Sequence, residues 1–213
     1  MRLDCEAVLF DMDGVLVNSN PAIEASWKAW CEVNGIDFAQ MQPRLHGRKA
    51  VEVIRAFKPE ADIEAEWQIL IDQEMAMVGL TEPLPGAKDM LSALPEARWT
   101  IVTSAPLELA RARLDAAGLP HPRLWVSARD VQRGKPAPDA FLLGAERLGH
   151  TPQDCLVIED SRAGIEAALA GGFRSIMVGP DSETDPGASL RVLDLSGLTL
   201  FAGASGTLAL ATR

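Results

Sequence analysis

What most constrains this chain is a rhythm and its single interruption. Short apolar runs recur at Ala7–Phe10, Trp99–Thr103, Leu124–Ser127, Cys155–Glu159 and Ser175–Gly179. Each is rich in Val, Ile or Leu and is bounded by polar, glycine or proline residues. Such runs suit strands buried on both faces of a parallel sheet. Helical periodicity fills the gaps at Gly86–Leu94, Leu107–Ala117, Pro138–Leu148 and Ala163–Ala170. Strand and helix in repeated alternation predict an α/β fold with a doubly wound, Rossmann-like parallel sheet.

The interruption runs from Asn20 to Leu80. Apolar residues there recur only at helical spacing: Ile23, Trp27 and Trp30; Val51, Ile54 and Phe57; then Ile63, Trp67, Leu70 and Ile71. An ordinary βα connection takes roughly 2–6 residues, so this segment is an insertion and not a loop. The chain is therefore expected to comprise a core of residues 1–17 and 83–213 and a smaller, all-helical cap of residues 18–82. Hinges are expected near Val17–Asn20 and at Glu82–Gly86, where two prolines and a glycine stiffen the chain. The three tryptophans are expected to fill the cap's interior. The tail after Pro180 is small and polar, and is expected to be partly loop, with a disordered end.

Composition narrows the function. Twenty basic and thirty acidic residues leave a net charge of −10, with no basic stripe for nucleic acid. An anionic ligand must then meet a local cation within an acidic field. No apolar run approaches the roughly 18 residues of a membrane helix, and the first residues do not resemble a signal peptide. Cys5, Cys31 and Cys155 are scattered, without a CxxC pair. They read as buried, reduced thiols of a cytoplasmic protein. A monomer or weak homodimer is expected.

In an open α/β sheet, ligands bind beyond the carboxyl ends of the strands. Asp11 and Asp13 follow the first run, with Gly14 permitting a tight turn. Thr103 and Ser104 follow the second, Glu159 and Asp160 end the fourth, and Lys135 lies between Gly134 and Pro136. Singly, each has an ordinary reading. The aspartates could form turns, Asp160 or Ser104 could cap a helix, and Lys135 could be solvated. Together they suit a phosphate. Lysine and a hard cation such as Mg²⁺ neutralise phosphoryl charge, a hydroxyl donates to it, and one carboxylate attacks phosphorus. A second carboxylate protonates the departing alcohol and then activates water. The dinucleotide-binding, P-loop and nucleophile-elbow motifs are absent.

Four stretches, FDMDGVLVNS, IVTSA, RGKPAPDAF and VIEDSRAGIEAA, resemble in order the motifs of the haloacid dehalogenase-like phosphatase superfamily. The resemblance spans nearly the whole chain to about Pro180. The insert resembles the cap of the subgroup containing phosphoglycolate phosphatase and β-phosphoglucomutase. LHGRKAVEVIRAF and neighbouring stretches are similar to the hexitol, 2-deoxyglucose-6-phosphate and glycerol-phosphate phosphatases.

The resemblance implies a Mg²⁺-dependent phosphomonoesterase of small phosphorylated sugars or sugar alcohols. Asp11 would be the nucleophile, forming an aspartyl-phosphate, and Asp13 the general acid and base. Asp13 would also lend its backbone carbonyl to the metal. Ser104 would bind the phosphoryl group, with Thr103 the alternative, and Lys135 would steady nucleophile and phosphate. Asp160 would ligate Mg²⁺, with Glu159 in support. His46, Gly47, Arg48 and Lys49 in the cap would face the leaving group. A phosphoglycolate phosphatase and a phosphoglucomutase-like phosphotransferase are the alternatives, the second disfavoured because the mutases' cap histidine, lysine and arginine are lacking. Asn18 replaces the commoner aspartate of the first motif, and tuning of the hinge is expected from it. A receiver-like phosphoacceptor domain is the non-enzyme alternative, and a metal-independent dehalogenase the other rival.

Overall fold

The structure, a computed structural model, describes residues 1–45, 48–180, 186–203 and 206–212. Chain order begins with strands β1 (Arg2–Cys5), β2 (Ala7–Phe10) and β3 (Val17–Asn18). Helices α1 (Asn20–Asn34), α2 (Phe38–Met41), α3 (Ala50–Phe57) and α4 (Ile63–Ala76) follow without an intervening strand. Then come β4 (Glu82–Pro83), α5 (Ala87–Ala93), β5 (Trp99–Val102), α6 (Leu107–Ala117), β6 (Trp125–Val126) and α7 (Asp139–Leu148). The last stretch holds β7 (Cys155–Glu159), α8 (Arg162–Ala170), β8 (Arg174–Val178), β9 (Leu190–Val192), β10 (Leu198–Ala202) and β11 (Leu208–Thr212).

The central sheet has six strands in the order β6-β5-β2-β7-β8-β9, all parallel. Strands β2, β5, β6 and β7 are buried along their whole length, as the unbroken apolar runs require. Along β2, Val8 and Phe10 enter one core with Met90 of α5 and Leu114 of α6. Ala7 and Leu9 enter the opposite core with Phe141 of α7 and Ala168 of α8. The period-two alternation of a strand thus feeds two helical layers.

Strand β2 lies between β5 and β7, and the chain winds away from it in both directions. That is the topological switch point, where the connections after neighbouring strands diverge and leave a crevice at their carboxyl ends. The residues following β2, β5 and β7 therefore face one another.

Helices α1 to α4 build their own apolar cluster from Trp27, Trp30, Met41, Ile54, Trp67, Leu70 and neighbours. Local chemistry sets their ends. Pro21 opens α1, where a missing N–H costs nothing, and the Asp62 carboxylate accepts from Ala65 N at the start of α4. The two connectors to the sheet pair with each other as an antiparallel ribbon, Val17 opposite Pro83 and Asn18 opposite Glu82.

The tail departs from expectation. Beyond residues 181–185, which lie outside the described residues, Leu190–Val192 becomes the sixth parallel strand. β10 and β11 form an antiparallel pair, and β11 also pairs with β1. Leu198, Leu208 and Leu210 close the core against Leu3. Small and polar composition hid an alternation whose buried side is visible only once β1 supplies a partner.

Candidate active site

Lys135 is the centre of charge. It is 1% exposed, and its Nζ donates to Asp11 Oδ1 at 2.5 Å, to Glu159 Oε1 at 2.6 Å and to the Val102 carbonyl at 3.2 Å. The Phe141 ring lies 4.9 Å from the same nitrogen. Burial alone pulls an ammonium's pKa down, but the two carboxylates outweigh it and hold Lys135 above its ordinary value. Lys135 is thus held between groups at the ends of β2, β5 and β7.

Asp11 extends the β2 ladder by one bond, its N–H donating to the Ile158 carbonyl at 2.9 Å. Burial raises its pKa to about 7 against the pull of Lys135, with Glu159 and Asp13 adding to the rise. Glu159 is fully buried, and its second oxygen accepts from Ser161 N at 2.7 Å and Ser161 Oγ at 2.9 Å. Asp160 is raised well above the usual carboxylate range by burial, then by Glu159 and Asp11. It does not cap α8. Ser161 does, accepting from Gly164 N at 3.0 Å. Nor does Ser104 cap α6, whose cap position is Pro106.

Asp11, Glu159 and Asp160 offer oxygens that all lie within 4.8 Å of one another. Gly14 lets this happen. Its φ is +84°, and a Cβ there would stand 1.9 Å from Asp160 Oδ2. Three converging carboxylates hold more negative charge than one lysine offsets. An all-oxygen set of this kind fits a hard divalent cation.

A cleft opens above these groups. Asp11, Asp13, Ser104, Arg113 and Asp160 line it from the α/β side, and Trp27, Arg48, Trp67 and Glu74 from the helical side. Trp27 and Trp67 thus fill the helical core and face the cleft as well. Trp30 does not line it, and its indole N–H donates to Glu66 at 2.7 Å.

Thr103 and Ser104 separate in role. The Thr103 hydroxyl accepts from Ala105 N at 3.1 Å in a buried turn, whereas Ser104 lines the cleft. Lys49 falls away from the cleft lining: its Nζ donates to the Val131 carbonyl at 2.9 Å. One turn on, the Glu52 carboxylate accepts from Gly134 N at 2.9 Å, so α3 grips the loop that carries Lys135. The sequence expectation that Lys49 meets the leaving group is corrected accordingly. The physical reason is that an ammonium on a buried stem takes the acceptor within reach. His46 and Gly47 lie outside the described residues.

Three residues escaped the sequence reading. Ser19 Oγ donates to Asp13 Oδ1 at 2.5 Å, and Arg113 Nη1 donates to the same oxygen at 2.8 Å. The other side of the Arg113 guanidinium is hydrogen-bonded to Glu74 of α4. Burial raises the Glu74 pKa to about 7; Arg113 opposes the rise and Asp13 adds to it. A sequence signal existed. Arg113 shares the buried face of α6 with Leu109, Ala110 and Leu114, and Glu74 follows Trp67, Leu70 and Ile71 on that of α4. A charge on an apolar stripe implies a buried partner.

This sheet, with carboxylates, a hydroxyl and a lysine gathered at its switch point, defines an enzyme of the haloacid dehalogenase-like hydrolase family. The chain belongs to that family, which it matches over residues 5–172, and it is a phosphatase. It is 44% identical over 185 residues to hexitol phosphatase A of Escherichia coli (strain K12), covering 84% of this chain and 86% of that one. It is 29% identical over 211 residues to glycerol-1-phosphate phosphohydrolase 2 of Saccharomyces cerevisiae, covering 87% and 79%. Among solved structures, a hydrolase from Pseudomonas syringae superposes with a TM-score of 0.80 at 25% identity, over 90% of this chain and 94% of that one. The match to a hydrolase family sets aside the receiver-like alternative. Cys5, Cys31 and Cys155 are buried and unpaired, Cys5 and Cys155 pushed up to about 12, chiefly by burial. Among the described residues no helix is long and apolar enough to cross a membrane.

Proposed function

We propose that the protein is a Mg²⁺-dependent phosphomonoesterase of small phosphorylated sugars or sugar alcohols, working through an aspartyl-phosphate on Asp11. The observation that carries this reading is the buried contact of Lys135 with Asp11 and Glu159, beside Asp160, where Asp11 and Asp160 share a cleft with Ser104. The substrate class is supported by the kinship with hexitol and glycerol-phosphate phosphatases.

An Asp11 carboxylate oxygen attacks phosphorus, and the bond from phosphorus to the ester oxygen breaks. Asp13, protonated, delivers its proton to that oxygen, so the alcohol leaves neutral. Asp13, now a carboxylate, takes a proton from water. The resulting hydroxide attacks the same phosphorus, and Asp11 is released with inorganic phosphate. Lys135 keeps a fixed positive charge beside Asp11, and Ser104 donates to the phosphoryl oxygens. Asp11, Asp160 and the Asp13 backbone carbonyl would hold Mg²⁺, with Glu159 behind them. When bound, the ion supplies the Lewis acidity that offsets phosphoryl charge.

We read residues 18–82 as a cap over this crevice, pivoting on the paired connectors. Trp27, Arg48 and Trp67 would contact the leaving group and exclude water from it. Phosphorylated hexitols, glycerol, 2-deoxyglucose and glycolate, ranked by kcat/KM with Mg²⁺ present, test the substrate class. Asp11→Asn is expected to abolish turnover in that assay. A variant that keeps full Mg²⁺-dependent activity overturns the assignment.

A further inference from the structure

We propose that Arg113 and Glu74 are a positioning pair for Asp13, through which helix α4 sets the geometry of proton delivery to the leaving group. This rests on the reading of Asp13 as acid and base. Arg113 is 3% exposed and lies on α6, yet neither of its carboxylate partners belongs to that helix. Nη1 meets Asp13 Oδ1 at 2.8 Å, and Nη2 is hydrogen-bonded to Glu74 Oε2 on α4. Ser19, 1% exposed, donates to the same Asp13 oxygen at 2.5 Å.

Two donors from separate elements pin Asp13 through Oδ1. The rotation of its carboxyl is thereby fixed, and Oδ2 is the oxygen that carries the travelling proton. A guanidinium this buried holds its place only while its partners satisfy it. Glu74 supplies one side, and its helix also lines the cleft with Trp67. A shift of α4 therefore moves Arg113, and Arg113 moves Asp13. The fork geometry matters, because a guanidinium can hold two carboxylates at fixed angles where an ammonium presents only a point charge.

The test exploits the leaving group. An alkyl phosphate releases a strongly basic alkoxide that needs the proton from Asp13, whereas p-nitrophenyl phosphate releases a phenolate that does not. The parameter kcat/KM reports steps only through ester cleavage, so the later use of Asp13 as base drops out. The alkyl substrate is whichever of the hexitol, glycerol and 2-deoxyglucose phosphates the native protein turns over best. General acids contribute about 10²–10⁴-fold, so Arg113→Met and Glu74→Gln are each expected to lower kcat/KM on the alkyl ester at least about tenfold more than on p-nitrophenyl phosphate. Asp13→Asn marks the upper limit of that ratio, and Arg113→Lys is expected to recover part of the loss. Glu74→Gln is isosteric and keeps the comparison available if Arg113→Met misfolds. The double variant is expected to be no worse than Arg113→Met alone. Equal losses on both esters in a folded variant overturn the proposal, because a merely structural role moves them together. A native protein that cleaves neither ester, or an Asp11→Asn variant that still cleaves them, overturns the underlying reading instead.

Discussion

Replacing Lys135 with methionine probes the charge balance of the site. The two side chains are similar in volume, so the packing against Phe141 changes little. What goes is an ammonium that serves Asp11, Glu159 and the Val102 carbonyl in a fully enclosed position. Breaking a buried pair by removing one partner costs about 3–5 kcal/mol, a large share of the roughly 5–15 kcal/mol that holds a domain folded. The cost depends on pH. Asp11 already sits near 7 because of burial, and losing Lys135 pushes it higher. A carboxyl whose folded pKa is raised favours the folded state fully below its unfolded pKa, and that contribution is lost as pH rises through the folded value. The Asp11 part of the deficit relative to the native protein is therefore small near pH 5 and larger near pH 8, and it goes on growing until pH passes the variant's own, higher value. Urea unfolding followed by circular dichroism at both pH values, with chelator present, measures it. A deficit below about 1 kcal/mol at pH 8, or one no larger than at pH 5, refutes the reasoning.

Other perturbations test neighbouring contacts. Gly14→Ala puts a methyl group where Asp160 Oδ2 now lies and strains a backbone at φ +84°. It is expected to cost about 1–2 kcal/mol in thermal unfolding and to raise the Mg²⁺ concentration needed for half-maximal activity. An unchanged Mg²⁺ requirement removes Asp160 from the metal site. Ser104→Ala is expected to lower kcat/KM about 10–100-fold with little loss of stability. Thr103→Val, which breaks the turn bond to Ala105, is expected to cost about 1 kcal/mol of stability. The reverse pattern assigns the phosphate contact to Thr103. Glu74 has its pKa raised by burial from 4.5 to about 7, worth about 3 kcal/mol that is present below pH 4.5 and lost as pH rises through 7. Glu74→Gln should flatten that part of the stability–pH curve, and an unaltered slope in chelator shows that Glu74 is not its source.

Much of the site was legible because its residues sit at strand ends. A buried parallel strand announces itself as an apolar run, and whatever polar residue follows it must face the crevice. Asp11, Ser104, Glu159 and Asp160 could be read in that way. Lys135 could be singled out by its setting, but its contacts with Asp11 and Glu159 join residues 124 and 24 positions apart along the chain. Lys49 misled because its charge and its place in a loop suit an anion equally well, while its acceptor, Val131, lies 82 residues away.

Local pattern alone determined the alternating α/β core, the helical insertion and the chemistry available after β2, β5 and β7, since periodicity and residue type act over a few neighbours. Tertiary structure decided what no window of sequence contains. It chose Ser161 over Asp160 as the cap of α8, and it gave the tail a sheet by pairing β11 with β1. It also joined α4 to Asp13 through Arg113, because a buried charge is satisfied by whichever partner the fold brings to it.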